Sequence, residues 1–208
     1  MGECNILLAG VGGQGVLLLS EILGKAALES GYDVRVAEIH GMAQRGGSVT
    51  CTVRIGERVY SPTFPEGEAD IIIALEPAEA IRNIVFANSE TLIIMNTATV
   101  SPPGIYLSNQ KYPDLKGIIE ILGEVSENIL AIDALKLAQR AGNPATQNIV
   151  MLGLLSATGR FPVDTNILRK ALTESVRAEF LETNIKAFNL GFESYTETFK
   201  TFPAKGKE

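Results

Sequence analysis

A short apolar run, Cys4-Asn-Ile-Leu-Leu-Ala9, passes directly into Gly10-Val-Gly-Gly-Gln-Gly15, after which apolar residues recur at helical spacing through Val16, Leu19, Ile22, Leu23 and Ala26. That pattern specifies a buried strand, a glycine turn and a helix. Gly31 ends the helix, and Asp33-Val-Arg-Val-Ala-Glu38 alternates as a second strand. A unit of this length reads as βαβ, which packs with a right-handed crossover onto a parallel sheet.

The rhythm then breaks. Residues 39–47 are polar and rich in glycine, and the alternation of Val49, Cys51, Val53 and Ile55, followed by Gly56 and Arg58-Val-Tyr60, predicts a β-hairpin beside the parallel sheet. Residues 69–75 and 91–95 read as further buried strands, with Pro77 in the first turn of a helix through Ala87. A short helix over 115–122 and a last strand over 128–132 come next. Helices are then expected over 134–141, over 146–157, from the Asp164 cap to Val176, and from Ala178 to about Phe199. The predicted fold is α/β: a Rossmann-like open, mostly parallel sheet with an inserted β-hairpin and a helical C-terminal part. With 208 residues, 46% of them apolar, the chain is expected to form one domain over 1–200, leaving 201–208 as a polar tail.

Charge and cysteine content exclude several classes. A net charge of −6 with 18 scattered basic residues argues against a nucleic-acid or anionic membrane surface. Apolar stretches of five or six residues fall far short of the roughly 20 that a membrane span needs. Two cysteines, Cys4 and Cys51, build neither a disulfide framework nor a four-thiolate cluster, and no leader precedes the first strand, so the cytoplasm is expected. With His40 as the single histidine, no metal site is expected either.

Gly10-Val-Gly-Gly-Gln-Gly15 fits G-x-G-x-x-G with a strand before it and a helix after it. A helix N-terminus there can present N–H groups to a phosphate. Glu38, 23 residues beyond Gly15, stands where a ribose-binding acid belongs in a dinucleotide site. The same residues also serve tight strand-to-helix packing, with Glu38 as a solvated strand end. The second unusual segment, Glu38-Ile-His-Gly-Met-Ala-Gln-Arg-Gly-Gly-Ser48, carries His40, Gln44, Arg45 and Ser48 on the ligand edge of an open sheet. His40 has no Ser or Cys nucleophile beside it and reads as a hydrogen-bonding residue. Arg45 suits a carboxylate or phosphate, or an acid at a subunit boundary. Asn96-Thr97 and the run from Gly142 to Asn148 read as turn and capping chemistry. Acidic pairs such as Glu66 with Glu68 lie in turns and do not make a two-carboxylate hydrolase.

Together, Gly10-Val-Gly-Gly-Gln-Gly-Val16, Gly41-Met-Ala-Gln-Arg-Gly-Gly-Ser-Val49 and Gly142-Asn-Pro-Ala-Thr-Gln-Asn-Ile-Val-Met-Leu-Gly153 resemble the gamma-type domain of 2-oxoacid:ferredoxin oxidoreductases, over roughly residues 6–192. Within that family the string Glu38-Ile-His-Gly-Met-Ala-Gln-Arg45 is most similar to the indolepyruvate branch. The resemblance implies oxidative decarboxylation of a 2-oxoacid with coenzyme A, giving an acyl-CoA, carbon dioxide and reduced ferredoxin. Such chemistry needs thiamine diphosphate with magnesium and [4Fe–4S] clusters. This chain has no G-D-G with a downstream Asn and too few cysteines, so the resemblance implies a larger partner subunit that carries both. The present chain alone would bind no cofactor and would complete the active-site entrance and the coenzyme A path.

By the same resemblance the candidate binding residues are Gly10, Gly12, Gly13, Gln14 and Gly15 with Gln44, Arg45, Gly46, Gly47 and Ser48. No catalytic residue is assigned. Coenzyme A phosphates suit a helix N-terminus and an arginine, and a pure interface role is the alternative. Two competing readings are a stand-alone NAD- or FAD-dependent oxidoreductase and a non-catalytic assembly module. The turn after the first strand and the loop after the second are expected side by side, facing the larger subunit. Gly12→Val is expected to clash there, at an added cost of about 1–2 kcal/mol if Gly12 is left-handed.

Overall fold

A computed structural model describes residues 3–40, 46–100 and 112–198 of the chain. Six strands form one sheet in the order β2-β3-β1-β4-β5-β6, where β1 is Cys4–Val11, β2 Asp33–His40, β3 Ser48–Gly56, β4 Ile71–Ala74, β5 Leu92–Asn96 and β6 Ile129–Ile132. β1, β4, β5 and β6 run parallel, while β3 pairs antiparallel with both β1 and β2. The mostly parallel open sheet and the helical C-terminal part follow the sequence pattern.

Strands β1, β4 and β5 are apolar on both faces because helices cover both. Ile6, Leu8, Ile71, Ile73 and Ile94 pack towards α1 (Val16–Glu29), α4 (Ala134–Ala141), α5 (Gln147–Thr158) and α6 (Thr165–Ser175). Leu7, Ala9, Ile72, Ile93 and Met95 pack on the other face with α2 (Pro77–Arg82) and α3 (Leu115–Gly123). The helix starts are capped as their residues suggest: Asp114, Asp133, Asp164 and Glu76 each accept a hydrogen bond from a first-turn backbone N–H.

The hairpin is not the one expected. Its arms are β2 and β3, with Val36 opposite Val53, and β3 is inserted between β2 and β1. Residues 58–60 do not pair as a strand. Side chains hold that stretch instead: the Val59 N–H donates to Asp33 at 3.0 Å, and the Arg54 guanidinium donates to the Ser61 and Thr63 carbonyls at 3.1 and 2.8 Å. The Val59 N–H holds the Asp33 carboxyl below its ordinary range, with the Arg35 guanidinium adding to the effect. β2 therefore runs in the direction of β1 but lies one strand further out than a simple βαβ unit would place it.

At the C-terminal end, α5 and α7 (Leu181–Thr198) cross with their backbones in contact. A Cβ on Gly153 would fall on the Phe188 carbonyl oxygen, and one on Gly191 on the Val150 carbonyl oxygen. Phe188 is fully buried at this crossing, under the Arg169 guanidinium at 4.5 Å.

Candidate functional site

In an open α/β sheet, ligands meet the C-terminal ends of the parallel strands. Here that edge carries the glycine turn, the start of β3, the start of α2, the end of β5 and the start of α5. The left-handed residues of the turn are Gly13 (φ 104°) and Gly15 (φ 80°), so the backbone strain expected at Gly12 belongs to them. Gly15 is the N-cap of α1. Gly10 is needed for closeness, since a Cβ there would lie 2.9 Å from the Val16 side chain.

Gln14 spans the crevice between β1 and β4. Its Nε2 donates to the Leu75 carbonyl at 2.9 Å and its Oε1 accepts from the Val11 N–H at 2.7 Å, so the side chain is a strut within the fold. Gly46, Gly47 and Ser48 lie beside the turn as expected: the Gly12 N–H donates to the Gly47 carbonyl at 2.8 Å, and Val11 pairs with Ser48. The adjacency arises from antiparallel pairing of β3 on β1, not from neighbouring parallel strands. Gln44 and Arg45 lie outside the described residues, as does the side chain of His40.

Three residues that sequence reasoning did not single out stand at this edge. Glu76, buried at the end of the β4 run, caps α2 by accepting from Ala78 N–H at 2.7 Å and Glu79 N–H at 3.2 Å. It also accepts from the Tyr112 hydroxyl and, at 3.3 Å, from Val100 N–H. Burial, and then the bond to Glu76, push the Tyr112 hydroxyl above its ordinary pKa. Glu79, also buried, accepts from the Ser48 hydroxyl at 2.6 Å. The available signal was positional: an acid directly after an apolar parallel strand and before Pro77 stands at the ligand edge of the sheet.

Residues read as local caps prove to join distant elements. Asn96, fully buried, donates to the Leu75 carbonyl at 3.2 Å and to Gln147 at 2.9 Å, and accepts from Ala98 and Ala134 N–H, both at 3.1 Å. Asn148 donates to the Gly15 carbonyl at 3.1 Å, bringing the start of α5 to the start of α1. Asn143 is a local cap as expected, accepting from Ala145 N–H at 2.9 Å. Between the two helix starts lies a groove of about 380 Å³ whose walls include Gly13, Gly15, Asn143, Thr146, Asn148 and Arg177. The Arg177 guanidinium reaches Glu179 at 3.9 Å and is otherwise largely exposed.

A second groove of about 530 Å³ lies between α1 and β2, walled by Leu17, Leu28, Val34 and Val36 with Glu38 on its lining. Its cation, Lys25, is paired with Glu174 at 2.8 Å, and Glu21 and Glu38 stand beside it, so an anion finds little to bind. Because β3 intervenes, Glu38 sits two strand spacings from β1, roughly 9–10 Å, and not on the neighbouring strand where a ribose-binding acid belongs. The dinucleotide reading loses its second element on this geometry.

The cysteines do not fit an iron–sulfur cluster. Cys51 pairs across the ladder with Leu8, four residues along β1 from Cys4, a separation of roughly 13 Å at the usual rise. Burial, reinforced by the Asp70 carboxylate, pushes the Cys4 thiol up to about 12, and burial with Glu38 pushes Cys51 up to about 11. Among the described residues no group of three His, Cys, Asp or Glu side chains could hold a metal ion, and no helix is long and apolar enough to cross a membrane.

The raised thiol pKa values predict two results. Ellman's reagent at pH 8 should label Cys51 only after unfolding and half-buried Cys4 slowly in the native chain; prompt native labelling of Cys51 would contradict its burial. The unfolded thiols release protons above about 9 while the folded ones hold them, so the contribution of these groups to stability should fall as pH rises from about 9 through 11.

An open sheet with one inserted antiparallel strand places a glycine turn, two helix starts and the Arg177 guanidinium around one groove. The chain belongs to the pyruvate ferredoxin/flavodoxin oxidoreductase family, whose profile matches residues 5–194. It is 42% identical over 188 residues to indolepyruvate oxidoreductase subunit IorB of Archaeoglobus fulgidus, covering 90% of this chain and 93% of that one. Among solved structures it resembles the gamma subunit of a keto/oxoacid ferredoxin oxidoreductase from Geobacter sulfurreducens, with a TM-score of 0.68 and 24% identity over 93% of this chain and 99% of that one. It also resembles 2-oxoglutarate:ferredoxin oxidoreductase from Magnetococcus marinus, solved with 2-oxoglutarate, coenzyme A and succinyl-CoA bound. There the TM-score is 0.73 at 20% identity, over 98% of this chain and 32% of that one.

Proposed function

We propose that the chain is the smaller subunit of an indolepyruvate:ferredoxin oxidoreductase, which decarboxylates an aryl 2-oxoacid, passes the electrons to ferredoxin and transfers the acyl group to coenzyme A. The observation that carries this reading is the 42% identity to an IorB subunit over nearly the full length of both chains. Thiamine diphosphate, magnesium and [4Fe–4S] clusters belong to the larger subunit in this reading, because two cysteines on separate strands, four ladder positions out of register, cannot supply a four-thiolate cluster. The present chain supplies the rim formed by Gly10–Gly15 and Gly46–Ser48. A polyphosphate of coenzyme A suits the groove where α1 and α5 begin, because both helix starts and Arg177 favour anionic oxygen.

Coexpression with the larger subunit tests the assignment. The complex should oxidise indolepyruvate with coenzyme A and ferredoxin, and this chain alone should turn over no 2-oxoacid; equal turnover by the larger subunit without this chain would overturn it. In the complex, Arg177→Ala should raise KM for coenzyme A about three- to tenfold, the loss of one exposed charge-assisted contact, with kcat preserved. An unchanged KM would remove Arg177 from the site.

A further inference from the structure

We infer that Glu79 is the positioning residue that fixes the Gly46–Ser48 strip against the glycine turn. Glu79 stands at the third position of α2, counted from Pro77 after the Glu76 cap. An acid there ordinarily turns back to the N-cap N–H and closes a capping box. Glu79 is turned elsewhere. One of its carboxylate oxygens accepts a hydrogen bond from the Ser48 hydroxyl at 2.6 Å, across 31 residues of sequence, and the other accepts one from Arg82 Nε at 3.1 Å. The residue is 4% exposed while Arg82 remains largely in solvent, so the buried carboxylate depends on these bonds.

Ser48 in turn opens β3 opposite Val11, and its predecessor Gly47 receives the Gly12 N–H at 2.8 Å. Glu79 thus holds one end of a short relay, through Ser48 and Gly47, to Gly12. Gly46 has a left-handed backbone (φ 76°), and the hydrogen bond of its N–H to the Gly12 carbonyl is long, at 3.5 Å. Backbone bonds join the strip to Gly12, and the Ser48–Glu79 bond is its side-chain tie, among the described residues, to the start of α2. The consequence for ligand binding rests on the reading that this rim receives coenzyme A.

The test compares Glu79→Leu, which removes the acceptor, with Glu79→Gln, which keeps one for the Ser48 hydroxyl. Amide hydrogen exchange on the assembled complex should show Gly46–Ser48 exchanging at least tenfold faster in the Leu variant and within twofold of wild type in the Gln variant, with Leu168–Leu172 unchanged in both. KM for coenzyme A should rise about tenfold in the Leu variant with kcat preserved, and recover in the Gln variant. Unaltered exchange in Glu79→Leu would overturn the positioning role. Faster exchange with an unaltered KM would leave that role standing and overturn the coenzyme A reading of the rim. If Glu79→Leu does not assemble, Ser48→Ala removes the same bond from the other side, and unaltered exchange of Gly46 and Gly47 in that variant would overturn the inference.

Discussion

Alanine at Gly153 or Gly191 is expected to cost the isolated chain about 3 kcal/mol or more, at or above the upper end for overpacking a core. The added Cβ would fall on a backbone carbonyl oxygen of the facing helix, Phe188 for Gly153 and Val150 for Gly191. Backbone cannot rotate aside as a side chain can, so α5 and α7 must separate along their crossing. Separation would also loosen the layer that contains Phe188, Leu154 and Leu155, all fully buried. For a chain of this size the loss corresponds to a fall in melting temperature of about 6–12 °C. Gly123→Ala is the control, because its Cβ would meet nothing within 4 Å. Thermal unfolding of the three variants checks the argument, and a Gly153→Ala melt matching the control would show that the two helices are not in backbone contact.

What could be read from the sequence divides by the range of the forces involved. The strand, turn and helix from Cys4 to Glu29 are set by neighbours within a few residues, and the apolar run, the glycines and the 3.6-residue spacing each report one of them. The helix over Ala134–Ala141 and the Asp164 cap were legible for the same reason. The place of β3 was not. Its alternation shows one more buried strand, but whether it lies between β1 and β2 depends on pairings such as Ile6 with Val53 and Val36 with Val53, made by residues far apart in sequence. The segment around Val59 was misread because Asp33 and Arg54 satisfy its backbone from a distance, so it needs no strand partner.

The site divides in the same way. The glycine turn and Gly46–Ser48 were visible as strings whose residue types are unusual together. Glu79 and Asn148 are unremarkable in sequence, a first-turn acid and a polar residue near a helix start. Their meaning comes from partners 31 and 133 residues away. Asn96 is similar: its amide serves β4, α4 and α5 at once, and no local pattern distinguishes that from a turn cap.

Gly15→Ala should damage stability and, on the proposed reading that the groove receives coenzyme A, ligand binding as well, and comparison with Gly13→Ala separates the causes. Both glycines are left-handed, so alanine at either costs about 1–2 kcal/mol in backbone strain. At Gly13 nothing lies within 4 Å of the added Cβ, whereas at Gly15 it would fall on the side-chain amide of Asn148. Asn148 is 3% exposed and its Nδ2 donates to the Gly15 carbonyl, so displacing it strands a buried donor at a further cost of about 1–3 kcal/mol. The Gly15 variant should therefore melt about 2–12 °C below the Gly13 variant, using about 2–4 °C per kcal/mol. In the complex its KM for coenzyme A should rise about tenfold, because the starts of α1 and α5 no longer meet. Adding Asn148→Ala to Gly15→Ala removes the clash but keeps the strain, so the double variant should lose less stability than the sum of the two single changes. Additive losses would mean that Gly15 is required for its dihedral angle alone, and that the contact between the two helix starts does not shape the groove.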